Sequence, residues 1–324
     1  MRSALLSLAA LLALAGCDSK ESGSSEKKTY RFALIPKTLT NEVFNYGRKA
    51  AEATAREIEA KEGCRIEVLW QAPAQADPAR QASILQTLAD QKVHGISISV
   101  EDAGAAKGAI DYAAGRGVPV MTFDSDSPSS KRKVFFGTND YECGEKLAHF
   151  MGNLLKKGNV IVQTGTEAPN LQARVQGVRD CFAKHFPDVK VVDVVRCDDD
   201  QKKAVEQLAN LAQSRNDVQG FVLVGGWAVF GDRGLDAIDP AKHKVVSCDA
   251  LPKAWQYLES GKCQMLLAQD LWGWGEQSVR ILKALADGKP VEAGPDGRIN
   301  GALEEVTKEN LEAFKAKWKE RFGG

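Results

Sequence analysis

From Tyr30 onward, short runs rich in Val, Ile, Leu and Phe alternate with longer stretches in which apolar residues recur every three to four positions. The short runs predict strands over Tyr30–Ile35, Arg65–Trp70, Gly95–Ser99, Val118–Phe123, Asn159–Gln163, Val189–Val195, Gly220–Val224, Lys244–Ser247 and Gln264–Ala268. The longer stretches predict helices over Glu42–Lys61, Pro78–Gln91, Tyr141–Leu155, Gln201–Ser214 and Gly275–Ala286. Asp77 ahead of Pro78 supplies an N-cap followed by proline at the first helical position, as an exposed helix start requires. Strands that are apolar throughout, alternating with helices, indicate an α/β fold with parallel sheets covered on both faces. The strand–helix–strand–helix–strand pattern from Tyr30 to Phe123 recurs from Asn159 to Ser247, which predicts two similar lobes facing one another across a cleft.

The 324-residue chain is long enough for two domains with cores of their own, and its 44% hydrophobic content excludes a disordered protein. Its 43 basic residues balance 43 acidic ones, leaving no basic surplus for nucleic acid or an anionic membrane surface. No nucleic-acid partner is therefore expected.

The extreme N-terminus changes the compartment. Arg2 precedes an apolar run from Ala4 to Ala15 that is too short to span a bilayer and fits the apolar region of an export signal. It ends in Leu14-Ala15-Gly16-Cys17, which resembles the lipobox of bacterial lipoproteins. That resemblance implies cleavage after residue 16 and a lipid anchor on Cys17. The segment DSKESGSSEKK that follows has no apolar residue to offset ordering entropy and reads as a flexible tether, residues 17–29 in all. Cys64, Cys143, Cys181, Cys197, Cys248 and Cys263 remain, and an oxidising compartment permits disulfides whose pairing the sequence does not define. Buried thiols or one or two staples are expected. The absence of CxxC, HxxH and HxxxH spacing argues against a zinc site, so no metal and no cofactor are expected.

Parallel sheets place ligands at the carboxyl ends of their strands, where the loops open. The first strand runs into Lys37, Asn41, Val43 and Phe44; the fourth ends in Asp124 and Ser125. In the second half, Asn170, Arg174 and Gln176 follow the loop after Val162, Trp227 follows Gly225-Gly226, and the last two strands end in Asp249 and Gln269. Side chains with several fixed donors or acceptors suit a polyol, whose hydroxyls both donate and accept while a ring's C–H face packs on an aromatic plane. Lys37 reads as a surface residue; turned inward it would pair with an anionic substrate such as a sugar acid. Trp272 and Trp274 suit core packing as well as ring stacking.

The stretches IPKTLTNEVF, PVMTFDSD, NLQARVQGVRD, VVSCDALP and LLAQD, in that order, resemble the ribose-type family of periplasmic sugar-binding proteins, the solute receptors of ABC importers. The resemblance implies two Rossmann-like lobes joined by a three-segment hinge, residues 30–139 plus 270–299 in one and 140–269 plus 300–324 in the other. It implies that Asn41, Phe44 and Asp124 meet the ligand from the first lobe, Asn170 and Arg174 from the second, with Asp249 and Gln269 completing the cage. Val43 and Trp227 are further candidates, as are Ser125 and Gln176, which stand where ribose receptors carry arginine. Glycine at 225 or 226 replaces an expected asparagine. These departures disfavour ribose itself; the implied guest is a monosaccharide or polyol, and the implied partner a membrane permease, with the receptor itself an anchored, extracytoplasmic monomer.

Other functions are weighed against this one. A sensor presenting a sugar or furanosyl signal to a chemoreceptor or histidine kinase would use the same lobes. Enzyme readings lack GxSxG, GxxxxGK[ST], HExxH and a complete GxGxxG; Asp124 and Asp249 could imitate only a glycosidase pair. A DNA-binding repressor of related fold is excluded by the export signal and the lack of a helix-turn-helix.

Overall fold

The computed structural model describes residues 27–323. The leader, Cys17 and the tether up to residue 26 lie outside the described residues.

The first sheet is built from β1 (Thr29–Ile35), β2 (Arg65–Trp70), β3 (Gly95–Ile98), β4 (Val120–Phe123), β5 (Phe135–Gly137) and β11 (Arg298–Asn300), in the order β11-β5-β4-β3-β1-β2. All its pairings are parallel. The second sheet contains β6 (Gly158–Thr164), β7 (Val189–Arg196), β8 (Val218–Leu223), β9 (Lys244–Cys248), β10 (Met265–Gln269) and β12 (Leu303–Val306). Its order is β12-β10-β9-β8-β6-β7, with β12 alone antiparallel to its neighbour. The two sheets repeat one winding scheme, and each reverses direction beside its first strand, the switch point at which such sheets open a crevice.

All nine expected strands are present within a few residues of their expected bounds. The short strands β5, β11 and β12 were not anticipated: three or four residues carry too little periodicity to stand out. Helices α1 (Val43–Glu62), α2 (Pro78–Asp90), α4 (Asp140–Leu155), α6 (Gln201–Ser214) and α9 (Leu271–Ala286) correspond to the five expected ones. Helix α5 (Pro169–His185) is the helix expected to carry Arg174, and the structure adds α3 (Ala103–Gly115), the single turn α7 (Trp227–Phe230), α8 (Pro252–Glu259) and α10 (Leu311–Phe322). The Asp77 carboxylate accepts from the Arg80 backbone N–H at 2.9 Å, the cap read from the sequence. Helix α9 starts four residues earlier than expected because Asp270 caps it, accepting from Gly273 N–H at 2.9 Å. Its glycines are contact points: a Cβ on Gly275 would strike the Gly47 carbonyl of α1.

The chain passes between the sheets three times, after β5, after β10 and between β11 and β12. These passages touch one another. Gly301 N–H donates to the Gly137 carbonyl at 2.8 Å, and the Thr138 hydroxyl donates to Gln269 Oε1 at 2.7 Å. Tyr46 from α1 packs edge to face on Trp318 and Phe322 of α10, and Trp255 from α8 does so on Trp318, while Trp318 and Phe322 stack at a tilt of 38°. All six described cysteines are buried free thiols, with Cys143 and Cys248 sulfurs 3.7 Å apart. No helix among the described residues is long and apolar enough to cross a membrane.

Candidate functional site

Two aspartates stand in the left-handed backbone region directly after central strands, Asp124 after β4 (φ 57°) and Asp249 after β9 (φ 70°). Non-glycine residues rarely adopt this conformation, and such outliers concentrate where function demands a particular side-chain position. The Asp124 carboxylate accepts from the Ser99 hydroxyl at 2.6 Å and from Asn170 Nδ2 at 3.2 Å, and its Oδ2 lies 3.3 Å from Lys37 Nζ. Lys37 also donates to Asn170 Oδ1 at 2.9 Å. Asn170 sits in the first turn of α5, beside the second sheet, whereas Lys37, Ser99 and Asp124 follow strands of the first. This polar knot therefore spans the cleft. Lys37 is only 4% exposed, which corrects its reading as a surface residue: the charge tolerates burial because an anion and an amide oxygen receive it.

A second knot surrounds Arg174. Its Nε donates to Asp140 Oδ1 at 2.9 Å, Nη1 donates to the Val224 carbonyl at 2.9 Å, and Nη2 donates to Gln269 Oε1 at 2.7 Å. The Cys248 sulfur lies 3.3 Å from Nη1. Gln269 passes the chain of bonds on, its Nε2 donating to Asp249 Oδ1 at 2.6 Å, and Gly226 N–H donates to the other oxygen at 3.1 Å. Arg174 is buried with Asp140, so its planar fork is spent on fixed partners rather than solvated.

The remaining candidates fall elsewhere. Gln176 is exposed and donates to Asp180 Oδ1, because two residues of helix turn it far from Arg174's face. It is no part of the cluster. Phe44 packs in the core against Phe123 and Trp274, and Val43 joins the same core. Trp274 is thus a core residue, and Trp272 packs on Phe322. Asn41 accepts from Val43 N–H at 3.3 Å at the start of α1. Ser125 is fully buried, and its Oγ has no partner among the described residues.

Beside the two knots the cleft opens into a cavity of about 840 Å³ bordered by Thr38 and Glu101 on one side and by Thr166, Asp198, Asp199 and Lys203 on the other. None of the residues singled out from the sequence lines this cavity. Glu101 and Asp199 were missed although each lies three residues beyond a strand end, after β3 and β7. Burial pushes the Asp199 carboxyl up to about 7, with Glu101 and Asp124 adding repulsion and Lys37 opposing them. Burial likewise raises Asp140 to about 7 against the pull of Arg174, and raises Asp249.

Unfolded Asp199 releases its proton near pH 4, whereas in the fold it keeps it to about pH 7, so its contribution to stability is lost as pH rises across that window. Asp199→Asn is accordingly expected to match the wild type at pH 4 and to be more stable by about 1 to 3 kcal/mol at pH 8. Thermal unfolding at the two pH values checks this, and an equal difference at both would reject it.

Two α/β lobes meeting over a buried polar cleft define a solute-binding protein of the two-lobed kind. The chain belongs to the periplasmic binding protein domain family, whose model matches residues 32–290. It is 25% identical over 278 residues to the ribose import binding protein of Bacillus subtilis, covering 85% of this chain and 87% of that one. The ribose import binding protein of Haemophilus influenzae is 25% identical over 276 residues, with 83% and 90% covered. A solute-binding protein of an ABC transporter from Burkholderia graminis, solved in complex with D-arabinose, superposes with a TM-score of 0.79 at 28% identity, covering 88% of this chain and 98% of that one. A carbohydrate transporter solute-binding protein from Agrobacterium radiobacter, also with D-arabinose, gives 0.79 at 25% identity, covering 91% and 99%.

Proposed function

We propose that this chain is a non-catalytic extracytoplasmic receptor that holds a small sugar or polyol between its lobes and delivers it to an ABC importer by hinge closure. The observation that carries this reading is a pair of buried polar knots in the cleft, Lys37–Asp124–Asn170, which draws on both lobes, and Arg174–Gln269–Asp249, which belongs to the second. Ligand contacts with both lobes form only in the closed state, and that differential affinity drives closure. The moving bodies are residues 30–139 plus 270–299 against 140–269 plus 300–324. Asn41, Asp124, Asn170, Asp249 and Gln269 supply donors and acceptors for hydroxyls, with Arg174 holding Gln269 in position, each charge-assisted bond in the dry cleft being worth about 1.5 to 3 kcal/mol. A lipid on Cys17 keeps a monomeric receptor close to its permease and raises its effective concentration there. The sugar importers among the relatives support the ligand class.

A thermal-shift screen of pentoses, hexoses, deoxy sugars, polyols and sugar acids identifies the ligand, since binding to the native state alone raises the melting temperature. Asp249→Ala should then weaken that ligand ten- to a hundredfold in calorimetric titration, about 1.4 to 3 kcal/mol, with the fold retained. Unchanged affinity would count against the assignment.

A further inference from the structure

Seven carboxylates border the cavity at the cleft mouth: Glu42, Glu101, Asp102, Glu167, Asp198, Asp199 and Asp200. Most are already committed. Glu42 accepts from Lys253 at 2.6 Å, Glu167 pairs with Arg196, and Asp198 pairs with Lys203. Asp102 caps α3 through Ala105 N–H at 2.7 Å, and Asp200 caps α6 through Lys203 N–H at 2.8 Å. Glu101 and Asp199 are left over, one from each side of the cleft.

Glu101 is only 5% exposed, yet its Oε2 has no hydrogen-bond partner among the described residues. Its backbone is held in place, since Glu101 N–H donates to Gln81 Oε1 at 3.1 Å and Gln81 is itself anchored to the Pro36 and Ser99 carbonyls. Asp199 Oδ1 likewise has no partner among the described residues, and its backbone sits in the left-handed region at φ 57°. Its carboxylate lies over Gly165 at a spot where a Cβ would collide with it, and the Trp227 ring covers the same glycine. Trp227 is 5% exposed, and its Nε1–H is also without a partner among the described residues. Two acids with unspent acceptor capacity thus border one space, an arrangement that suits a cation with several N–H donors.

The charge count points the same way. Lys37 is matched by Asp124 and Arg174 by Asp140, which leaves Asp249, Glu101 and Asp199 as excess acids around the cleft. An anionic guest would find the Lys37 ammonium engaged by Asp124 and Asn170 and Lys203 paired with Asp198, and the remaining cation of the lining, Lys202, is a solvated side chain 3.8 Å from Glu206. Buried acids without partners are costly, and a ligand ammonium would offset that cost where a hydroxyl would only hydrogen-bond.

We propose that the cleft selects an aminated sugar or amino-polyol, whose ammonium binds between Glu101 and Asp199 at the mouth while its hydroxyls reach the knots around Asp124 and Asp249. This inference rests on the sugar-receptor reading and names its substrate class.

The test is calorimetric titration of the full-length protein with matched ligands: glucosamine against glucose, galactosamine against galactose, and 1-amino-1-deoxysorbitol against sorbitol, each amine also in its N-acetylated form. The amine of at least one pair is expected to bind tenfold or more tightly than its hydroxyl counterpart, and acetylation, which removes the charge but keeps the nitrogen, should abolish the gain. In Glu101→Gln and Asp199→Asn the ratio of amine to parent affinity should fall towards one, with thermal unfolding confirming that each variant is folded. Parent sugars binding as well as or better than their amines would overturn the inference and leave the sugar-receptor reading intact. A preference for amines that survives both substitutions would overturn the placement at Glu101 and Asp199. If neither these sugars, their amines nor the wider sugar screen bind, the receptor reading fails and the inference fails with it.

Discussion

Arg174→Met should destabilise the protein by about 3 to 5 kcal/mol at pH 8 and remove sugar binding, because it leaves a buried carboxylate without its cation. Asp140 has Arg174 as its ion-pair partner at 2.8 Å, and the same guanidinium serves the Val224 carbonyl and Gln269 Oε1. Without it, Asp140 rises further above the value of about 7 that burial already imposes. A carboxylate whose folded pKa is raised loses stability as pH climbs from its unfolded value near 4 to its folded one; at pH 5 Asp140 is protonated in the fold with or without Arg174, so the penalty of the substitution should shrink markedly there. Pairing the substitution with Asp140→Leu should recover part of the loss, since an apolar pair of similar volume replaces a buried ion pair at little cost. Urea unfolding of the two variants at both pH values measures these terms. A loss below about 1 kcal/mol at pH 8 would mean that the pair is far better solvated than its burial indicates.

The second large effect lies in a helix contact. Gly177 of α5 faces the Tyr141 carbonyl of α4 so closely that a Cβ would overlap it, and Gly144 of α4 meets the Arg174 backbone in the same way. Gly177→Val or Gly144→Val must push the helices apart, at a cost of about 3 kcal/mol or more, and would drag Arg174 away from Gln269. Gly108, on the exposed side of α3, provides the control, since a Cβ added there would meet nothing within 4 Å. Gly108→Ala is expected to stabilise by about 0.5 to 1 kcal/mol, since alanine loses less conformational freedom in a helix. Circular dichroism melts compare the three variants, and a tolerated Gly177→Val would refute the close approach.

The winding of both sheets could be read from apolar runs because strands buried on two faces have no polar positions to break them. Phe135–Gly137 escaped notice because three residues beside a Lys-Arg-Lys stretch look like loop, and the Asp126 carboxylate that helps hold this edge draws on Arg132 nearby and on Arg298, 172 residues away. Helix α3 was hidden by its glycines and uniform alanines, which give little contrast between faces. For the candidate site, strand ends were the useful guide: Asp124, Asn170, Arg174, Asp249 and Gln269 come together although 145 residues separate the first from the last. The same rule applied after β3 and β7 would have brought in Glu101 and Asp199. Phe44 and Gln176 show what strand-end position leaves open, namely which way a side chain turns, and that depended on packing against Trp274 and on helical phase. Asp140 and Thr138 were out of reach, since both sit on a passage that follows the unrecognised strand β5.

Gln269 lies where the chain leaves β10 for the first sheet, joined through Thr138 to a neighbouring passage and through Arg174 and Asp249 to the cleft. The passage between the sheets and the cleft therefore share a side chain. Any displacement of one sheet against the other would have to be registered by this amide, and it would also load the Glu42–Lys253 ion pair, which ties the start of α1 to α8.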